Sequence, residues 1–147
     1  MTAEWNRVVL DESRLVLHER IRGVEVSLAI SPYDLPRAFR GVYLEDRGVL
    51  RVEFRYADEE PCERVNGHDC VSFEVGKHSR KLYAIEVEPS RHKVGVVKLT
   101  VAQALDHVDA AVRRLRDTCR QPNARLNYEA VDEVLRENRE HLVLTAA

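Results

Sequence analysis

The chain has 147 residues, the length of one folded domain, and 44% of them are apolar, enough for a core that needs neither disulfides nor a metal. Its 23 basic and 25 acidic residues leave a net charge of −2, which gives no general attraction to nucleic acid or to an anionic membrane. No apolar run reaches the roughly 18 residues needed to span a bilayer. We therefore predict a single domain over residues 1–147.

The N-terminus and the cysteines indicate the compartment. Charged residues are spread through the first 22 positions, so this segment lacks the apolar stretch of a secretory signal. The chain has three cysteines, an odd number that argues against a closed disulfide framework. Both features predict a cytoplasmic protein.

Apolar and polar residues alternate through much of the first two-thirds of the chain, a pattern typical of half-buried strands. The clearest stretch places Leu50, Val52, Phe54 and Tyr56 on one face. Similar alternation predicts strands at 14–21, 24–30, 42–44, 71–75, 83–87 and 94–99. Arg22-Gly23 has the turn chemistry to join the first two of these.

Two segments break this alternation. Between residues 31 and 40, Pro32 and Pro36 allow at most one helical turn, because each proline removes a donor and restricts the residue before it. The charged stretch from 57 to 70 is predicted to be the longest irregular segment.

From Thr100 onward the apolar spacing changes to that of helices. Thr100 and Gln103 form a capping box, so a helix is predicted to begin there, with an apolar stripe from Val101 to Cys119. Pro122 is predicted to end it. A second helix is predicted to begin after Asn127, with inward residues Val131, Val134, Leu135 and Leu142.

Strands grouped before helices predict an α+β fold. We expect an antiparallel, meandering sheet of about six to eight strands, followed by two C-terminal helices packed on one face. In both helices the acidic residues precede the basic ones, which complements the helix dipole. Asp109–Arg113 and Asp132–Arg136 have the i,i+4 spacing of stabilising ion pairs.

Cys62, His68 and Cys70 are the best local candidates for metal ligands. Thiolate and imidazole suit zinc, and His68 and Cys70 are two residues apart, so both could point the same way along a strand. The spacing is not that of a zinc finger or ribbon, and a fourth ligand would have to come from elsewhere. A Cys/His nucleophile pair would need an orienting group and oxyanion donors that the sequence does not identify. An ordinary polar loop is the simpler interpretation, so no cofactor is predicted unless the loop binds zinc.

Basic residues cluster at two predicted turns, Lys77 to Lys81 and Arg91 to Lys93. These turns lie at opposite ends of one strand, roughly 25 Å apart, and neither holds an aromatic residue for base stacking. Nucleic-acid binding is therefore disfavoured. Because most of the basic residues are arginines, we expect fixed pairs with the carboxylates instead.

The leading hypothesis for function is a non-enzymatic interaction or self-association domain, with a protein partner or a second copy joined through strand edges or helix faces. The second is a small-molecule or metal-binding protein or enzyme, with a pocket between sheet and helices. Glu19, Cys62, His68 and Cys70 would be the first residues to test for it. Glu19 is included because it interrupts an apolar stripe. A nucleic-acid-binding protein is the third hypothesis.

Overall fold

The computed structural model describes residues 5–10, 15–44, 48–67, 70–88, 100–140 and 142. Within these ranges the strands are β1 (Asn6–Arg7), β2 (Val16–Ile21), β3 (Val24–Ala29), β4 (Ala38–Leu44), β5 (Val49–Arg55), β6 (Cys62–Asn66), β7 (Val71–Gly76) and β8 (Leu82–Val87). They are followed by the helices α1 (Val101–Thr118) and α2 (Pro122–Glu137). A 3₁₀ turn at Pro32–Asp34 is the single helical turn that the two prolines allow. The strand predicted at 94–99 lies outside the described residues.

Six strands form an antiparallel sheet in the order β1-β4-β5-β8-β7-β6, and β2 and β3 form a separate hairpin. The predicted α+β fold, with strands first and two helices last, is confirmed. The order of the strands is more complex than one meander. Strands β6, β7 and β8 follow one another, but β8 then pairs with β5, which places Val52 opposite Ile85.

The helices cover one face of the six-stranded sheet. Helix α1 packs on β7 and β8, while α2 packs on β8, on β2 and on the 3₁₀ turn. At the centre of this layer Val52, Ile85 and Val108 have no exposed surface. Burying one such side chain contributes about 1.5–3 kcal/mol. None of the helices in the described ranges is long and apolar enough to cross a membrane.

Helix α1 begins as predicted. The Thr100 hydroxyl accepts a hydrogen bond from the Gln103 backbone at 3.2 Å, and the Gln103 side chain accepts one from the Thr100 backbone at 3.0 Å. The predicted role of Pro122 was wrong: α1 already ends at Thr118, and Pro122 begins α2, ahead of Asn127. The first turn of a helix has no partner for an N–H, so a proline is accommodated there without loss.

One of the two predicted i,i+4 ion pairs forms. Arg136 Nη2 lies 3.5 Å from Asp132 Oδ2. Asp109 instead accepts a hydrogen bond from Arg139 Nη1 at 2.6 Å. Arg139, just beyond the end of α2, thus lies beside Asp106 and Asp109 of α1. Spacing along a single helix could not predict this contact.

Strand β6 corrects the prediction that residues 57 to 70 are irregular. It pairs with β7 in register from Cys62–Gly76 to Asn66–Ser72. It forms an edge of the sheet, and its residues are exposed except for the half-buried Val65. Apolar alternation marks strands that bury one face, so an exposed edge strand leaves little trace in the sequence.

The other face of the sheet carries a ladder of ion pairs. Arg51 lies at its centre, with Nη2 at 2.9 Å from Glu74 and Nη1 at 3.1 Å from Glu86. On one side Arg40 pairs with Glu53 at 2.8 Å. The expected pairing of arginines with carboxylates is confirmed on this face, whose charges are largely matched among themselves.

Candidate functional site

The β2–β3 hairpin holds three of the five large apolar side chains that are exposed among the described residues. Arg22 and Gly23 form its two-residue turn, with φ of 52° and 81°. Positive φ at both positions is the mark of a type I′ turn, whose twist matches that of the flanking strands. The register then places Ile21 opposite Val24 and Leu17 opposite Leu28. Residues directly opposite each other share a face, so this turn aligns the apolar residues of both strands.

The apolar face runs from the core out into solvent. At the base, Leu15 and Ile30 are buried in a small cluster with Leu126 and Ala130 of α2. Toward the turn the exposed fraction rises, to 40% for Val26, 52% for Ile21 and 62% for Val24. Glu19 holds the register position opposite Val26 and interrupts the apolar series. We call the outer part of this face, formed by Ile21, Val24 and Val26, the hairpin tip.

The opposite face of the hairpin is polar. His18 Nδ1 lies 2.9 Å from the Ser27 hydroxyl, and Arg20 is opposite Glu25. Among the described residues, no further strand pairs with the outer edge of β2 or β3. At its base the hairpin is anchored in the core, where Leu15 and Ile30 are buried against α2.

Two buried polar side chains supply much of that anchorage. The 3₁₀ turn at Pro32–Asp34 follows the hairpin directly, and its carbonyl groups are fixed from the core. Lys81 Nζ donates to the Tyr33 carbonyl at 2.9 Å, and Asn127 Nδ2 donates to the Asp34 carbonyl at 2.8 Å. Both donors are almost fully buried. The exit of the hairpin is thus held by β8 and α2 together.

The cluster around Lys81 could be taken for a catalytic centre, but its polar atoms are used structurally. Lys81 Nζ also lies 3.3 Å from Asp58 Oδ1 and 4.7 Å from the centre of the Tyr56 ring. Tyr56 donates its hydroxyl proton to the Leu82 carbonyl at 2.6 Å. Burial raises the pKa of the Tyr56 hydroxyl, so it remains a neutral donor. We assign the cluster to the support of the hairpin.

The predicted metal ligands are only partly described. Cys62 begins β6, level with Gly76, whereas Cys70 precedes the opposite end of β7. Six strand positions, or about 20 Å, therefore separate the two cysteines along the sheet. His68 lies outside the described residues, and within the described ranges no three His, Cys, Asp or Glu side chains are grouped to hold a metal. The zinc site stays a prediction, and the structure does not bring its two thiols together.

The pocket between sheet and helices stays a prediction. Side chains such as Leu105 and Val112 are buried beneath the helices. Grooves lie at the edges of the described sheet. One, of about 490 Å³, adjoins β1 and is flanked by Arg7 and Arg37. The other lies between β6 and α1. The side chain of Glu19, the remaining candidate from the sequence, is not described.

Two basic residues of the first basic turn, Lys77 to Lys81, make contacts within the protein. Lys81 is 2% exposed, and Arg80 pairs with Glu63. Lys77 and His78 are exposed and form no ion pair among the described residues. The second basic turn, Arg91 to Lys93, lies outside the described residues. Sequence reasoning identified the hairpin strands but not their exposure, and no local signal marked Lys81 or Asn127 as anchors.

Comparisons with protein-family models, with curated proteins and with solved structures found no match. The function is therefore argued from this chain alone.

Proposed function

We propose that the protein is a non-enzymatic interaction domain that self-associates, with the hairpin tip of one copy packing on the hairpin tip of another. The exposed apolar series at Ile21, Val24 and Val26 carries this proposal. Each is about half exposed, so removing it from water would contribute about half of the 1.5–3 kcal/mol for a full side chain, roughly 1 kcal/mol per copy. A twofold dimer uses the same patch on both partners, so one apolar face is sufficient for both.

The charges of the hairpin favour a second copy over a strongly charged partner. Its strands and turn carry two acids, Glu19 and Glu25, and two bases, Arg20 and Arg22. A balanced set of this kind is self-complementary and causes no net repulsion between identical surfaces. Glu19, in register with Val26, lowers the apolar content of the face and should keep the association reversible.

A reducing, cytoplasmic compartment fits this proposal. None of the three cysteines forms a disulfide bond, and Cys62 is exposed at the edge of the sheet. Free thiols persist where the cell keeps them reduced.

The test is the molar mass of the full chain in solution, measured by light scattering after size exclusion from about 1 to 200 µM. We expect a shift from monomer to dimer within this range. Val26→Asp should leave the protein monomeric throughout, because it places a charge in the apolar series. Ser27→Asp is the matched control: it adds the same charge one residue away on the polar face and should still dimerise.

Glu19→Leu should strengthen dimerisation, because it completes the apolar series. We expect it to lower the dimer dissociation constant. Circular dichroism checks that each variant is folded. A native chain that stays monomeric up to 200 µM overturns the proposal, and so does equal loss of dimer in Val26→Asp and Ser27→Asp.

A further inference from the structure

A second surface, separate from the hairpin, lies where β6 approaches α1. A groove of about 290 Å³ runs between them. Its apolar floor is formed by Val65, Phe73, Ala111 and Leu115, and Asn66 and Arg114 lie at its rim. The helical residues are spaced i, i+3, i+4, so one stripe of α1 faces the sheet edge along the groove.

The main chain of β6 is open along this groove. Gly67 N–H donates to the Val71 carbonyl at 2.8 Å, and Lys77 N–H donates to the Pro61 carbonyl at 2.9 Å. In an antiparallel pair successive residues turn their N–H and C=O groups to alternate sides. The main-chain groups that bond to β7 are therefore those of residues 61, 63, 65 and 67. The main-chain N–H and C=O groups of Cys62, Arg64 and Asn66 point to the free edge. No described strand pairs with that edge.

This edge is regular enough to accept another strand. The pairing of β6 with β7 has no register shift over its five residues, and β6 itself contains no proline. Five residues extend about 17 Å, which matches a peptide of five or six residues. Natural sheet edges are usually blocked by bulges, prolines or short strands, and the opposite edge, β1, has only two residues.

The rim of the groove carries one unmatched positive charge. Arg114 is exposed and forms no ion pair within the described part of the chain, and none of the other groove residues named above is charged. By contrast, Arg80 is paired with Glu63, and Arg64 lies 3.4 Å from Glu88. A ligand that carries a carboxylate near Arg114 would complement the groove.

We propose that the protein binds an extended, acidic segment of another protein as an added strand on the free edge of β6. The ligand's main chain pairs with Cys62, Arg64 and Asn66. Its alternate apolar side chains enter the groove against Phe73 and Leu115, and an acidic side chain pairs with Arg114. Main-chain bonds supply affinity in this mode of recognition, and the groove supplies selectivity. The groove shares no residue with the hairpin tip.

Hydrogen exchange of individual amides tests this mode directly. The probes are synthetic hexapeptides with threonine at every second position, titrated into the full-length ¹⁵N-labelled protein. Two of the three positions between carry valine or leucine, and the third carries aspartate, or threonine in the control peptide, so that the apolar and acidic side chains share one face. At a free peptide concentration ten times the dissociation constant, exchange at Cys62, Arg64 and Asn66 should slow by about 10-fold. Exchange at Glu63 and Val65, whose amides already bond to β7, should change little.

Matched changes separate the contributions. Arg114→Glu should weaken binding of the aspartate peptides by about 10-fold, equivalent to ~1.4 kcal/mol, whereas Arg7→Glu at the opposite edge of the sheet should not. Asn66→Pro removes a donor from the free edge without removing a bond to β7, and should also weaken binding. N-methylation of the alternate peptide amides that face β6 removes their N–H donors and leaves the side chains unchanged. It should abolish binding of the peptide, and this control needs no protein variant.

Three results would overturn the proposal. The first is that no peptide produces the alternating protection up to millimolar concentration. The second is that the peptide-free protein shows this protection increasingly with its own concentration, which identifies a second copy as the added strand. The third is that the peptide-free protein shows it at every concentration, which identifies a segment of this chain. The first leaves hairpin-mediated dimerisation standing, since Val26→Asp tests that separately.

Discussion

Asn127 Nδ2 donates a hydrogen bond to the Tyr56 hydroxyl at 2.9 Å, joining α2 to the end of β5 in the interior. Asn127 has no exposed surface, yet each of its polar atoms has a partner: its carbonyl oxygen accepts from the Leu82 backbone at 2.9 Å. Its amide also holds the turn that follows the hairpin. One side chain thus connects the helix layer, the sheet and the turn that follows the hairpin.

Replacing Asn127 should therefore be costly. Asn127→Ala leaves the Leu82 N–H and the Asp34 carbonyl without their partners, each at about 1–3 kcal/mol of unfolding free energy. Urea unfolding measures the loss. Asn123→Ala is the control, because Asn123 is exposed on the same helix and should change stability by less than about 0.5 kcal/mol. Equal losses in the two variants would contradict the role of Asn127.

Substitutions in the hairpin turn should change the stability of the protein, one raising it and the other lowering it. Arg22 adopts a φ of 52°, which an asparagine accepts more readily, so Arg22→Asn should stabilise the protein by up to about 1 kcal/mol. A Cβ at Gly23 would meet no atom within 4 Å, so Gly23→Ala costs only conformational strain, about 1–2 kcal/mol. Thermal unfolding compares the two, and a lower melting temperature for Arg22→Asn would contradict the type I′ turn.

The ion-pair ladder predicts a dependence on acid. The hydrogen bond from Arg51 lowers the pKa of Glu74 below its usual 4.5. A carboxyl group with a lowered folded pKa contributes stability above its unfolded pKa and loses it as the pH falls through the folded pKa. Glu74→Gln should thus destabilise the protein at pH 7, and the difference from the native chain should shrink below pH 4.5.

The control for this prediction is Glu59→Gln. Glu59 is exposed and forms no ion pair among the described residues, so its replacement should produce no comparable change with pH. Urea unfolding from pH 3 to 7 measures all three proteins. A destabilisation by Glu74→Gln that persists unchanged at pH 3 would show that the ion pair is not its source.

Metal analysis tests the Cys62, His68 and Cys70 prediction. Zinc holds each thiolate sulfur at about 2.3 Å, and the two cysteines lie at opposite ends of the β6–β7 pair. We therefore expect well below one zinc per chain in protein purified without a histidine tag. One zinc per chain, lost in Cys70→Ser, would instead establish the site and require the strands to rearrange.

The sequence by itself determined the elements whose signals are local. The alternation around Leu50 to Phe54, the turn at Arg22-Gly23 and the capping box at Thr100 each predicted a structure that forms. These signals are reliable because each reflects sterics or burial within one segment. Strand β6 was not predicted for the same reason: with only Val65 half-buried, its sequence shows no apolar alternation.

Only the tertiary structure decided which surfaces remain open. The apolar series of the hairpin and that of β5 look alike in sequence, but Val52 is buried in the core cluster whereas Val24 is 62% exposed. Likewise, Asn127 became an anchor only when β8 and the 3₁₀ turn were brought beside α2. The exposure of a side chain and the hydrogen bonding of a buried polar group depend on residues that are distant in the chain. A local sequence pattern therefore does not predict either.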